Sequence, residues 1–276
     1  MADNSKMFPY IHGFSEIEQE RLRKQAAFAE YTVFRDINFS NTESVLEVGC
    51  GVGAQSEILL RRFPSLKLTG IDLNESQLAS GKKFLESQKQ FDGRWETHHM
   101  DAGNLEFESN SFDGAFLCWV LEHVPDPARV LSEVRRVLKP GSKIYITEVM
   151  NSTFFLEPYS PNVWKYWMAF NDFQYENAGD PFIGAKLGNF LTALGYRQIN
   201  TELKTWHFDN RQPQKRKEII DFWTELMLSA ADSLIQANVV DEETVKLAKA
   251  ELKSVTKDPN AVFFYSFMQA EARVID

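Results

Sequence analysis

The segment Val45-Leu-Glu-Val-Gly-Cys-Gly-Val-Gly53 joins a short apolar run to glycines at alternate positions, Gly49, Gly51 and Gly53. The apolar run indicates a buried strand. Glycine permits positive φ and leaves room for a ligand beside the main chain. A helix that begins near Ala54 would direct its free N–H groups at the same loop. The segment therefore predicts a strand, a nucleotide-binding loop and a helix, in that order.

The loop alone leaves the type of nucleotide open. Gly49, Gly51 and Ala54 also satisfy the G-x-G-x-x-G/A pattern of dinucleotide-binding folds. After a predicted helix over 55–63 comes LKLTGID, a second apolar strand that ends at Asp72. A carboxylate in that place can accept hydrogen bonds from ribose hydroxyls.

Three further motifs extend the alternation of strands and helices to Val149. The strand-like WETHHM precedes Asp101 and Ala102, FDGAFLCWV runs into LEHVPDP, and the next helix closes with LKPG before KIYITEVM. Parallel strands need crossover connections, which helices supply here. This part of the chain predicts an α/β fold with a doubly wound, mostly parallel sheet.

In this order, the motifs resemble those of the class I S-adenosylmethionine-dependent methyltransferases over residues 43–149. The stretch from HGFS to RLRKQA, residues 12–26, and GDPFIG, residues 179–184, resemble the UbiE-like small-molecule members. The resemblance implies a seven-stranded Rossmann-like sheet whose last strand is antiparallel. It also implies S-adenosyl-L-methionine as cofactor and S-adenosyl-L-homocysteine as product.

The resemblance assigns the cofactor contacts residue by residue. Gly49 and Gly51 would pack against the methionine end, Asp72 would bind the ribose hydroxyls, and Asp101 would meet the adenine amino group. Singly, the two acids could also be ordinary caps at strand ends. The remaining expected contacts are Tyr10 beside the sulfonium, Gln25 at the methionine carboxylate, Glu47 ordering the loop, Leu73 and Ala102 beside the acids, and Cys118 in the fourth strand.

A general base is harder to locate from the sequence. Glu148 at the end of the fifth strand, His123 and His207 are candidates by topology. For His123 we favour a structural role, in which it supports the loop below the cofactor. No closely spaced set of Asp, Glu or His predicts a metal site.

Around this core the sequence predicts an N-terminal helical cap, 1–40, and a methyltransferase domain, 41–276. The domain would carry an aromatic insert, 151–182, and a helical insert, 211–258. We expect the aromatic insert to line the acceptor pocket. Some of its aromatic rings must nevertheless pack on the buried face of a helix. The helical insert is read as a lid, with an oligomerisation surface or passive cover as the alternative.

Composition narrows the substrate class. The net charge of −9 over 276 residues argues against a nucleic-acid partner and against anionic lipid. We expect a small, at least partly apolar acceptor in a cytoplasmic protein without a secretory signal or membrane span, and leave a homodimer open. A catalytically silent S-adenosylmethionine-binding scaffold and a nicotinamide-dependent oxidoreductase remain as alternatives.

Overall fold

A computed structural model describes residues 12, 13 and 15–275. Its strands are β1 (Ser44–Val48), β2 (Lys67–Asp72), β3 (Trp95–His99), β4 (Phe112–Cys118), β5 (Leu138–Val149), β6 (Phe155–Glu157), β7 (Arg197–Phe208) and β8 (Val262–Arg273). Its helices are α1 (Glu16–Phe34), α2 (Ala54–Arg62), α3 (Glu75–Glu86), α4 (Pro127–Val137), α5 (Pro161–Glu176), α6 (Leu187–Ala193), α7 (Pro213–Ser229), α8 (Ala231–Gln236) and α9 (Glu242–Lys257).

One compact unit, here called the sheet unit, comprises residues 22–149, 182–204 and those from 267 onward. Its strands lie in the order β3-β2-β1-β4-β5-β8, and β7 also pairs with β8. β1 to β5 are parallel, and β8 runs antiparallel to β5. This confirms the predicted α/β fold with a mostly parallel sheet and an antiparallel strand near its end.

The sheet packs on a hydrophobic core formed by the apolar residues of its strands and helices. Leu46, Leu117 and Ile146 of adjacent strands are fully buried. The helix α4 turns the apolar stripe of Val130, Leu131, Val134 and Val137 toward the same cluster. Burying an aliphatic side chain of this size stabilises the fold by roughly 1.5–3 kcal/mol.

The second compact unit, the helical unit, comprises the described residues up to 21, residues 150–181 and residues 205–266. Both predicted inserts lie largely within it. β6 pairs antiparallel with the start of β8, with Leu156 opposite Phe263. The rings of Phe154 and Trp223 stack at 5.5 Å in its interior, and α9 packs against both α5 and α7.

Several helices begin or end at residue types that favour helix ends. The Ser15 hydroxyl accepts a hydrogen bond from the Glu18 N–H at the start of α1. Asn74 caps α3 by accepting from the Gln77 N–H at 2.9 Å, and Pro213 occupies the first turn of α7. Gly195 follows α6 with φ of 81°, as expected of a glycine stop.

The inserts contain more elements than the sequence predicted. The helical insert holds three helices, because the six-residue α8 lies between α7 and α9. The aromatic insert holds the three-residue strand β6. Both elements are shorter than the segments in which hydrophobic periodicity can be recognised.

Candidate cofactor site

The glycine loop after β1 uses a backbone conformation that suits glycine. Gly49, Gly51 and Gly53 have φ of 71°, 48° and 74°. The Gly49 N–H donates to the carbonyl of Ile71 at 2.8 Å, which ties the loop to the end of β2. A Cβ at position 49 would lie 2.5 Å from Cγ2 of Val120. The close packing of the main chain therefore requires glycine at this position.

Asp72 locks the glycine loop to the beginning of α3. Its Oδ2 accepts from the Gly51 N–H at 2.9 Å, and its Oδ1 accepts from the Asn74 N–H at 2.8 Å. Burial raises the pKa of the Asp72 carboxyl, and these backbone donors oppose the rise. A carboxylate offers about four acceptor directions, so two protein bonds leave capacity for a ligand hydroxyl. Leu73, beside it, is 59% exposed.

Asp101 and Ala102 lie at the same edge of the sheet. Asp72 of β2 is in register with His99 of β3, two residues before Asp101. The Asp101 Oδ1 accepts from the Gly103 N–H at 2.8 Å, and the residue is exposed. Ala102 is half-buried against the core. The structure thus brings the two predicted acids to neighbouring strand ends.

Glu47 lies beneath the glycine loop and is 2% exposed. The Ser56 hydroxyl on α2 donates to its carboxyl group. Burial raises the pKa of Glu47 to about 8, with a further rise from the charge of Asp72. This geometry joins β1 to α2 and agrees with a role in ordering the loop.

Cys118 at the end of β4 faces Gln55 in the first turn of α2. The Gln55 Nε2 donates to the Cys118 sulfur at 3.7 Å, and burial raises the pKa of that thiol. Within residues 12, 13 and 15–275, no donor meets the buried Oε1 of Gln55. A buried amide oxygen without a partner is costly, so this atom suits a ligand N–H group. Apart from its place after the glycine loop, no sequence pattern indicates a role for Gln55.

Glu148 fastens the loop that follows β4. Its Oε1 accepts from the N–H groups of Val120 and Leu121 at 2.9 and 2.6 Å, and the residue has no exposed surface. Burial, followed by the nearby charge of Glu122, raises the pKa of the Glu148 carboxyl well above its ordinary value. Trp119, at the start of this loop, has φ of 57°. No sequence pattern predicts a left-handed tryptophan.

The other two base candidates differ in their surroundings. His123 lies in the loop held by Glu148, with its Nε2 3.6 Å from Oε1 of Glu122. His207 belongs to the helical unit, is exposed, and has its Nε2 3.9 Å from Oδ2 of Asp209. The structure therefore brings Glu148 and His123 together in one unit.

Of the two cofactor contacts predicted near the N-terminus, only Gln25 lies within the described residues. Gln25 is half-buried on α1. That helix meets α3 through Arg23, whose Nη2 donates to the Ser80 hydroxyl at 2.8 Å and whose guanidinium lies 5.0 Å from the centre of the Phe84 ring. Tyr10 lies outside the described residues. The proposed contacts of Tyr10 and Gln25 with the cofactor stay predictions.

The described residues contain no group of three or more His, Cys, Asp or Glu side chains that could hold a metal ion. None of the helices found there is long and apolar enough to cross a membrane.

Residues 46–146 match a family model described as a methyltransferase domain. With the strand order, the glycine loop and the two acids already described, the match confirms the predicted resemblance to the class I S-adenosylmethionine-dependent methyltransferases.

Among particular proteins, the chain is 33% identical over 162 residues to a demethylmenaquinone methyltransferase of Staphylococcus aureus. The match covers 55% of this chain and 66% of the relative, just under two thirds of its length. Two solved structures share the fold. Phosphoethanolamine N-methyltransferase 2 of Haemonchus contortus has a TM-score of 0.56 at 20% identity over 92% of this chain and 53% of its own. A methyltransferase of Methanosarcina mazei has a TM-score of 0.51 at 18% identity over 84% and 93%.

Proposed function

We propose that this protein binds S-adenosylmethionine and transfers its methyl group to a small molecule. The observation that carries the proposal is the carboxylate of Asp72, which holds the glycine loop and α3 together and retains acceptor capacity at the sheet edge. The family match over residues 46–146 supports the same conclusion.

The residues of the sheet unit suit the parts of this cofactor. Asp72 would hold the ribose hydroxyls and Asp101 the adenine amino group. The buried Oε1 of Gln55 and the adjoining glycine loop would take the amino-acid end, whose ammonium group supplies the missing donor. When bound, the cofactor supplies an activated methyl group, so that the protein chiefly aligns the acceptor and excludes water.

We propose an acceptor that is at least partly apolar and carries a ring. The Staphylococcus aureus relative is named for demethylmenaquinone, a quinone. The roles of residues 151–182 as a pocket wall and of residues 211–258 as a lid stay predictions.

Calorimetry and a transfer assay test this function. We expect binding of S-adenosylmethionine and S-adenosylhomocysteine but not of NAD, and transfer of a labelled methyl group to a member of a panel of hydroquinones, phenols and small amines. Binding of NAD alone would favour the oxidoreductase. Binding of S-adenosylmethionine without transfer to any member would favour the silent scaffold and contradict the proposed activity.

A further inference from the structure

A buried arginine of the helical unit has no acidic partner among the described residues. Arg216 is the fourth residue of α7 and is 5% exposed. Its Nη1 donates to the carbonyl oxygen of Pro259 at 2.6 Å. Its Nε is buried and meets no acceptor in that part of the chain, and no carboxylate there forms an ion pair with the guanidinium. A neutral carbonyl therefore faces a group that carries a full positive charge and five N–H donors.

The missing counter-charge of Arg216 calls for an explanation, because buried charges in proteins are normally paired. The cost of taking a charged group out of water is offset only by an opposite charge with good hydrogen bonds. Asp258, next to Pro259, is the nearest acid along the chain to this contact. Its Oδ1 instead accepts from the Asn260 N–H at 2.7 Å. An anion from outside the chain would supply what the described residues do not.

The part of Arg216 that has no partner has the shape that recognises an oxyanion. The guanidinium is held at Nη1 by Pro259. Its Nε and Nη2 direct two parallel N–H bonds along another edge of the same plane, and neither has a hydrogen-bond partner among residues 12, 13 and 15–275. Such an edge matches the two oxygens of a carboxylate or phosphate group. The anchored plane would therefore present this edge in a fixed orientation.

The start of α7 adds partial positive charge near the same side chain. Gln212 gives this helix no side-chain cap, and a helical side chain leans toward the N-terminus of its helix. β7 pairs with β8, and the ring of His207 lies 6.1 Å from that of Phe264. The segment that leaves β7 and the turn that enters β8 therefore meet at one end of this strand pair. Arg216 and Pro259 join them there.

We propose that Arg216 binds an oxyanion, the carboxylate or phosphate group of a small ligand, through Nε and Nη2. The site lies within the helical unit and does not depend on the proposed methyl transfer. Pro259, which holds the guanidinium, is exposed, so the site borders solvent. Binding forms two charge-assisted hydrogen bonds and breaks no covalent bond.

Titration of the whole protein with sodium phosphate and with sodium acetate tests this site, at an ionic strength held constant with sodium chloride. We expect a saturable rise in the melting temperature of the wild type with at least one of the two anions. Arg216→Met should weaken that anion about ten- to a hundredfold, the equivalent of a charge-assisted hydrogen bond. Arg216→Lys keeps the charge without the planar fork and should fall between them. Lys217→Met is the matched control, because Lys217 is exposed on the same helix and pairs with Asp221.

NMR of arginine Nε–H groups locates the bound anion. The resonance that is missing from the Arg216→Lys spectrum identifies Arg216, and it should shift in the wild type along the same binding curve. A response to acetate alone or to phosphate alone identifies the ligand group. No saturable response of the wild type to either anion overturns the proposal, whether or not the variants fold. An equal response in folded Arg216→Met overturns it as well, since Arg216 would then serve only to hold the turn at Pro259.

Discussion

The carboxylate of Asp72 holds the glycine loop and the start of α3, and we propose that it also binds the cofactor. The effect of removing its charge on cofactor affinity can therefore be measured. Asp72→Ala should weaken S-adenosylmethionine binding about ten- to a hundredfold, because charge-assisted hydrogen bonds contribute about 1.5–3 kcal/mol. Asp72→Asn keeps the side-chain shape and one acceptor oxygen, so its loss should be smaller. Calorimetry measures both, with thermal unfolding as the check of folding. An unchanged Kd in a folded Asp72→Ala variant would contradict the assignment.

A side chain at Gly49 would lower the free energy of unfolding in two ways, through backbone strain and through steric contact, and the two can be measured separately. Gly49→Ala would meet both a positive φ of 71° and a contact of 2.5 Å with Val120. Gly93 has φ of 73° with nothing within 4 Å of a Cβ, so Gly93→Ala meets the backbone cost alone, about 1–2 kcal/mol. We expect Gly49→Ala to lower the free energy of unfolding by clearly more, as measured in urea. Equal losses would mean that the loop yields to Val120.

Glu47 links stability to pH. Its folded pKa of about 8 lies above the ordinary value near 4.3, so the folded state holds a proton that the unfolded state has released. The stability from this group is present below about pH 4.3 and is lost as pH rises to about 8, at up to ~1.4 kcal/mol per pH unit. The melting temperature of Glu47→Gln should therefore fall less between pH 5 and 8 than that of wild type. Glu96→Gln, at an exposed position, is the control and should follow the wild-type curve.

Between elements, α9 supplies the cap that α5 lacks. Ser160 makes no side-chain cap. Instead, Oε2 of Glu251 accepts from the N–H groups of Asn162 and Val163, each at 2.9 Å. Glu251→Gln should destabilise the helical unit by about 1.5–3 kcal/mol, the range for hydrogen bonds to a charged group. Thermal unfolding measures this. Glu243→Gln, which breaks an exposed pair with Lys246, should change stability by less than about 0.5 kcal/mol.

Local sequence patterns predict some of these contacts and not others. The cap at Asn74, the glycine loop and β2 follow from local patterns, in which the deciding residues are neighbours along the chain. The cap from Glu251 joins positions about 90 residues apart. Likewise, the bonds from Glu148 to the loop after β4 depend on the alignment of two strands. Such contacts are properties of the tertiary fold, and no local pattern encodes them.

For the whole molecule, the division into two units changes how the helical insert should be studied. Trp223 of α7 is 3% exposed and stacks on Phe154. Deletion of residues 214–257 would therefore remove part of the interior of the helical unit, and a loss of activity would not identify a lid. A point variant such as Glu251→Gln leaves that interior in place.

The antiparallel pairing of β5 with β8 has a consequence for biosynthesis. Val149 of β5 is opposite Phe267 of β8, more than a hundred residues further along the chain. While a ribosome makes the intervening residues, at about 5–20 per second, one side of β5 has no partner strand. During those seconds a nascent chain presents an apolar edge of the kind that recruits foreign strands. The yield of correctly folded protein should therefore respond to chaperone supply and translation speed more than its equilibrium stability suggests.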